Sequence, residues 1–199
     1  MVVKTIYSCN YYLLKIQGKG VQNLKKYLFI LAVLSVVVMI SGCTTTSTIN
    51  TKNFTASGMS FQYPDTWNAS SQVNNNSTQI MVASSEFISS NATKGSVVLI
   101  LKLPKSGDNN MSQTRQELMT QAQQSGQNAT NTTINIAGVT ASDISYTGKD
   151  TTGNNTYGRL IDFEKNNSLY LLLFASGGGA DINAAKPYFD VIIKSFKVE

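Results

Sequence analysis

Apolar and polar residues alternate along several stretches after residue 57, and this period of two predicts β-strands. The first stretch places Met59, Phe61 and Tyr63 on one face, as a strand with a single buried side requires. The Pro-Asp pair that follows favours a turn. The predicted strands are Gly58–Pro64, Thr78–Ser84, Ser96–Leu103, Thr133–Ala137, Thr140–Gly148, Tyr157–Glu164 and Ser168–Ser176.

Short connections join the last four of these strands into two predicted hairpins. Gly138 separates the first pair, and Lys165, Asn166 and Asn167 separate the second. The stretch Leu169–Ala175 is apolar at every position, which indicates a central, well-buried strand.

A period near 3.6 predicts two helices. Apolar residues recur at helical spacing in Met111–Ser125, and Gly126 is a natural stop. The same spacing returns from Ile182 to the end of the chain, where Pro187 either lies near the helix start or kinks the helix. The order of strands, helix, strands and helix predicts an α+β fold with an antiparallel sheet flanked by helices.

The chain before residue 43 has a different pattern. Lys25 and Lys26 precede an uncharged, largely apolar run of 14 residues, Tyr27–Ile40. A membrane-spanning helix needs roughly 20 such residues, whereas a signal-peptide core is shorter. A basic segment, a short apolar core and small residues at its end are typical of a secretory signal.

Ile40, Ser41, Gly42 and Cys43 resemble the lipobox of prokaryotic lipoproteins. The resemblance implies lipid attachment to the Cys43 thiol and cleavage after Gly42. Each buried methylene contributes about 0.8 kcal/mol, and a glyceryl group with two chains supplies a stable anchor. The alternatives are a free or disulfide-bonded Cys43 behind an ordinary signal, and an uncleaved membrane anchor.

These features divide the chain into a leader at residues 1–42, a lipidated cysteine with a Ser/Thr-rich tether at 43–52, and a domain at 53–199. The leader is longer than a signal needs, so we expect translation to start at Val21 or Leu24. The expected location is the extracytoplasmic face of the cell membrane.

Charge and composition narrow the chemistry of the domain. The chain carries net charge +5, but its five leader lysines account for the excess, and 11 bases balance 11 acids from Cys43 onward. A neutral domain lacks the basic footprint of a nucleic-acid-binding protein. The chain has no His, and Cys43 would be its only mature cysteine, so Cys/His zinc sites and His-dependent triads are excluded.

Two further motifs point to a known family. The stretch Gly58–Trp67, in which a strand ends in Tyr-Pro and a Trp follows, resembles the opening of PsbP-like domains. The stretch Tyr188–Val198 is similar to their closing helix, which ends in Ile-x-x-Ser-Phe. The resemblance implies an antiparallel sheet sandwiched by helices. Relatives include photosystem II subunits, a Ran-binding transport factor and surface lipoproteins, so it implies no single function.

Three features of the domain are candidate sites, and for each a structural role is the favoured interpretation. Trp67, the single Trp, is either a ligand-stacking ring in a cleft or a packing residue. Asp162 and Glu164 share a strand face and are either cation ligands or part of a solvated face. Three glycines in Ser176–Asp181 either cradle a phosphate or form a flexible connection.

Sequons for N-glycosylation are frequent after the tether, and they mark either modified surface loops or a composition rich in Asn, Ser and Thr. They start at Asn53, Asn68, Asn75, Asn76, Asn91, Asn110, Asn128, Asn131, Asn154 and Asn166.

No arrangement of a nucleophile with a base is visible, so we expect no enzyme, no cofactor and no metal site. The favoured function is a non-catalytic binding or assembly module, held by membrane lipid through Cys43, with a protein partner at the membrane surface. The alternative is a lipoprotein that binds a small molecule or metal for transport or sensing.

Overall fold

The computed structural model describes residues 49–74, 77–105, 111–124 and 127–199. The leader, Gly42, Cys43 and the start of the tether lie outside the described residues. The described part forms one compact unit, Ile49–Glu199, which contains every residue of the hydrophobic core.

Ten strands and three helices make up this unit. The strands are β1 (Thr51–Ala56), β2 (Met59–Pro64), β3 (Trp67–Asn74), β4 (Ser77–Ser84), β5 (Gly95–Pro104), β6 (Asn128–Ile136), β7 (Val139–Lys149), β8 (Asn155–Lys165), β9 (Ser168–Gly177) and β10 (Lys197–Val198). The helices are α1 (Ser85–Ser89), α2 (Met111–Gln124) and α3 (Ile182–Ser195). The predicted α+β class is confirmed, since both sheets are antiparallel throughout.

The large sheet has seven strands in the order β3-β4-β5-β9-β8-β7-β6, and the small sheet has the order β1-β2-β10. Both predicted hairpins of the large sheet are confirmed. Their two-residue turns have positive φ at both positions, which matches the right-handed twist of the strands. These turn residues are Ala137 and Gly138 in one hairpin, and Asn166 and Asn167 in the other.

One face of the large sheet carries the main core, and we call it the inner face. Ile80, Val98, Ile100, Ile161 and Leu172 point into it and are fully buried. Helix α3 and the small sheet lie side by side over this face, and the Gln62 amide of β2 donates to Ser195 Oγ at the end of α3. Aromatic side chains fill the space between the layers, with Phe196 stacked on Phe61 and edge-on to Phe163 and Tyr170.

Helix α3 begins five residues before Pro187, so this proline lies inside the helix and not near its start. The Asp181 side chain caps the first turn by accepting hydrogen bonds from the Asn183 and Ala184 amides. A proline at this position removes one backbone hydrogen bond of the helix. Burial of Ala185, Phe189 and Ile192 against the sheet offsets that loss.

Four elements are absent from the sequence prediction: β1, β3, β10 and α1. Strand β1 begins at Thr51, two residues before the expected start of the domain, and both β1 and β3 are edge strands with mostly exposed polar side chains. Such strands gain their stability from backbone pairing with β2 and β4, and this pairing leaves no apolar alternation in the sequence.

Candidate functional site

The second face of the large sheet, the outer face, is only partly covered by helices. Helix α2 packs on β6 and β7, and its buried Ala122 lines one cavity with the buried Ile144 of β7 and Leu160 of β8. Helix α1 lies over the end of β5, since a Cβ added to Gly95 would meet the Phe87 backbone. The middle of the outer face lies between these helices, on strands β4, β5 and β9.

Six large apolar residues point outward from these three strands, and we call this surface the leucine face. Successive side chains of a strand point to opposite faces, so the residues next to the buried inner-face positions point outward. The exposed fraction is 39% for Met81 and 37% for Leu173, and the other four side chains are half-buried. The leucine face consists of Met81, Leu99, Leu101, Leu103, Leu171 and Leu173.

Leu173 corrects one expectation from the sequence. Strand β9 is central, as predicted, because it lies between β5 and β8. However, the uniform apolar run Leu169–Ala175 does not mean burial on both faces, since Leu173 and Ala175 are exposed. The reason is that α2 covers the half of the sheet formed by β6 and β7 and leaves this half accessible. The outward side of the run Leu169–Ala175 is therefore part of a surface that the described residues leave accessible.

The outer face of β3, β4, β5 and β9 carries no charged side chain. The positions beside the leucine face are neutral: Asn68, Ser70, Gln72, Gln79, Ala83, Val97, Leu169 and Ala175. Charges begin at the rim, where Lys105 pairs with Glu164 at 2.6 Å on the exposed surface. A partner that covers this surface would have no charge to neutralise there.

Two adjoining cavities lie where the leucine face meets the helices. One of about 340 Å³ lies between α2 and the sheet, lined by Leu118, Ala122, Leu160 and Leu173 among others. The other, of about 420 Å³, extends toward α1 and is lined by Phe87 and Val97 and by the charged Lys94, Lys149 and Asp150. Ala175 and Tyr146 line both cavities, so together they form a continuous groove beside the leucine face.

Arg115 holds α2 on the outer face through Asp162 of β8. Its Nε and Nη2 atoms donate to the two carboxylate oxygens at 3.0 and 2.7 Å. The hydrogen bond to Asp162 raises the pKa of Arg115 above its ordinary value. The expectation of a solvated face at Asp162 and Glu164 is therefore wrong for Asp162, which is 3% exposed. Glu164 is exposed and pairs with Lys105, so the two carboxylates do not form a joint cation site.

A second bidentate pair, which the sequence pattern does not predict, lies on the inner face. Arg159 donates to both oxygens of Asp143 at 2.8 and 2.7 Å, and its Nη1 lies 3.5 Å from Asp190 on α3. Burial lowers the pKa of Arg159, but the bond to Asp143 more than offsets this, and the pKa is raised. Each helix layer is thus tied to the sheet by one arginine. Only the position of Asp143 and Arg159 on the paired strands β7 and β8 could have indicated this ion pair.

Trp67 lies in the inner core, at 5% exposure. Its ring packs edge-on to Tyr188 and Phe189 of α3, at centroid distances of 5.7 and 6.0 Å. It lines neither of the two cavities beside the leucine face. The position of Trp67 therefore favours a packing role over a ligand cleft.

The glycine-rich stretch Ser176–Asp181 connects β9 to α3. Gly178 has φ of +65°, and a Cβ there would clash with the Thr93 backbone, so glycine is required for the close approach of two loops. The first free amides of α3 already bond to the Asp181 carboxylate, which would also repel an anion. This geometry disfavours a phosphate cradle at this helix end.

The described residues contain no cluster of three or more His, Cys, Asp or Glu side chains placed to hold a metal ion. Within the same ranges, no helix has the length and apolar character that crossing a bilayer requires.

A family model described as PsbP-like protein matches residues 31–198, which is most of the chain. No curated protein matches this chain. Among solved structures, a Bacteroides thetaiotaomicron protein shares 15% identity over 74% of this chain, with a TM-score of 0.47, and the chain spans 48% of that protein. CyanoP, the cyanobacterial PsbP of Synechocystis, shares 14% identity over 81% of this chain and 99% of its own, with a TM-score of 0.45.

LpqN, a Mycobacterium tuberculosis protein involved in cell envelope biogenesis, shares 11% identity over 75% of this chain and 90% of its own, with a TM-score of 0.47. The resemblance of Gly58–Trp67 and Tyr188–Val198 to PsbP-like motifs is thus confirmed by the family match, which includes both stretches. This chain belongs to the PsbP-like protein family.

Proposed function

We propose that this protein is a lipid-anchored, non-catalytic module that binds a protein partner at the extracytoplasmic membrane surface. The observation that carries the proposal is the leucine face, an accessible group of six large apolar side chains on three neighbouring strands with no charged side chain among them. Soluble domains rarely leave a contiguous apolar surface accessible unless something binds it. The anchor follows from the lipobox-like stretch that ends at Cys43.

The distance between the anchor and the domain supports contact with a membrane-bound partner. Seven peptide steps separate Cys43 from Asn50, and β1 begins at the next residue. At about 3.5 Å per residue, this tether reaches at most roughly 25 Å. The domain would therefore remain close to the bilayer, where membrane proteins and other anchored proteins are concentrated.

The anchor is tested by replacing Cys43 with serine. We expect the wild-type protein in the membrane fraction, with a lipid-modified N-terminal peptide that begins at Cys43 in mass spectra. The C43S protein should lack this modification and, because the same cysteine defines the cleavage site, should also keep its leader. A wild-type protein whose N-terminal peptide begins before Cys43, or begins at Cys43 without lipid, would reject lipid anchoring.

Binding is tested by photo-cross-linking in intact cells, with a photoreactive residue at Leu101 of the full-length protein. Val73 is the matched control, because it is an apolar side chain with 62% exposure that lies outside the leucine face. We expect one stoichiometric partner at Leu101 and none at Val73. Equal labelling at both positions, or none at Leu101, would reject the leucine face as a binding surface.

A further inference from the structure

Helices α1 and α2 leave part of the outer face uncovered, and the leucine face lies in that part. The proposal for its partner rests on the proposed function. Helix α2 occupies the outer face over β6 and β7, and its Arg115 reaches β8. The leucine face lies on the outer face of the same sheet, on strands that α2 does not cover. We propose that it binds one amphipathic helix of the partner protein, on the same side of the sheet as α2, through an apolar stripe that carries no charge.

The dimensions of the surface fit one helix. The leucine face lies on β4, β5 and β9, which span two strand spacings of about 4.8 Å, or roughly 10 Å, and a helix with its side chains is also about 10 Å wide. A helix whose axis lies over β5 would cover the leucine face, at three and a half strand spacings or roughly 17 Å from the middle of β6 and β7, where α2 packs. The groove formed by the two cavities would then receive side chains along one edge of that helix.

The charge pattern defines the contacting stripe of the partner. A charged group that is buried against the leucine face would lose its hydration and find no opposite charge. Leucine, methionine or alanine at helical spacing would bury apolar surface at about 25 cal/mol per Å². Neutral polar residues at the edge of the stripe can meet Ser70, Gln72 and Gln79 on the flanking strands.

A second copy of this chain fits the same surface less well. A stable interface buries roughly 800 Å² on each partner and involves 20–30 residues per side. The leucine face has six large side chains, and a sheet packed on a sheet would meet α2 at its edge. A helix needs less area, because its side chains enter the groove.

A lipid surface, or another segment of this chain, fits the leucine face less well than a helix of a partner protein. Peripheral membrane sites use Lys, Arg, Trp and Tyr, and the leucine face contains none of these. The undescribed internal segments, residues 75–76, 106–110 and 125–126, are too short to cover three strands. Residues 1–42 are long enough, but cleavage after Gly42 would remove them from the mature protein.

The test uses the full-length protein in cells, with a photoreactive residue placed singly at Leu99, Leu101, Leu103, Leu171 or Leu173. Cross-linked peptides are then sequenced. We expect all five positions to label one segment of a different protein, at residues three, four or seven apart and without charged side chains among them. Labelled residues two apart would indicate a bound strand, so the helix would be rejected while the proposed function would stand.

Other outcomes separate the remaining occupants. Peptides of this chain itself would show a dimer, and lipid adducts would show membrane contact; either result rejects the helix. Absence of any adduct at all five positions would reject both the helix and the proposed function. In the helix model, a Leu101→Lys substitution lowers labelling at Leu173 at least tenfold, because it buries an ammonium group. Val73→Lys, on the same domain, should leave labelling unchanged.

Discussion

Arg115 and Asp162 form a bidentate ion pair between α2 and β8, in which the Asp162 side chain is almost fully buried. The negative charge of the Asp162 carboxylate is neutralised by the Arg115 guanidinium. Because α2 has only one buried residue, Ala122, this pair has a large share in keeping the helix on the sheet. The pair also fixes the edge of the leucine face, since α2 forms one wall of the groove.

Replacing Arg115 with methionine should destabilise the domain, because it leaves the Asp162 charge buried without a partner. Breaking a fully buried pair costs roughly 3–5 kcal/mol, but Arg115 is about one third exposed, so we expect about 2 kcal/mol. Urea unfolding measures the change. The Asp162→Leu substitution added to R115M should recover part of the loss. Lys105→Met, which breaks an exposed pair on the same face, should change stability by less than about 0.5 kcal/mol.

Gly158 lies directly beneath the ring of Tyr146, its cross-strand neighbour on β7. A Gly158→Ala substitution would push a methyl group into that ring and should cost about 1–3 kcal/mol in the free energy of unfolding. The double variant with Tyr146→Ala should be less sensitive to the added methyl group. Gly177→Ala is the control, because its Cβ would make only ordinary contact with Thr156. Equal losses in G158A and G177A would contradict the role of the ring.

Alkaline pH should destabilise the domain through two buried tyrosines. Burial raises the pKa of Tyr157 and of Tyr170, so both phenols stay protonated in the folded state at pH values that ionise them in the unfolded chain. Their contribution is complete below the unfolded pKa of about 10 and is lost as pH rises through the raised values. Urea midpoints between pH 8 and 11.5 should therefore fall above pH 10. Tyr170→Phe should flatten this decline, and an unchanged pH profile would reject this explanation.

Trp67 should report on core packing and not on ligand binding. Its emission should be blue-shifted and protected from acrylamide quenching, since the ring is buried against Tyr188 and Phe189. Trp67→Ala should cost about 3–5 kcal/mol, a typical value for truncating a buried Trp. Emission that shifts on addition of metals or small metabolites, without a change in stability, would instead revive a ligand cleft at this position.

Periodicity along the chain was enough to predict the fold class, β2, six of the seven strands of the large sheet and the two long helices. Periodicity marks these elements because each buries one side, as Met59 and Phe61 do on β2. Periodicity did not reveal β1 and β3, because these edge strands gain their stability from backbone pairing with β2 and β4 and not from their own mostly exposed polar side chains.

Which apolar residues are buried and which charges are paired depends on how the elements pack in three dimensions. The run Leu169–Ala175 gives no sign that Leu173 is accessible, since that depends on where α2 lies. Likewise, Asp162 is spaced like a solvated residue until the fold brings Arg115 to it across 47 positions. Burial and ion pairing are properties of the neighbours that folding brings together, and local spacing in a sequence does not encode those neighbours.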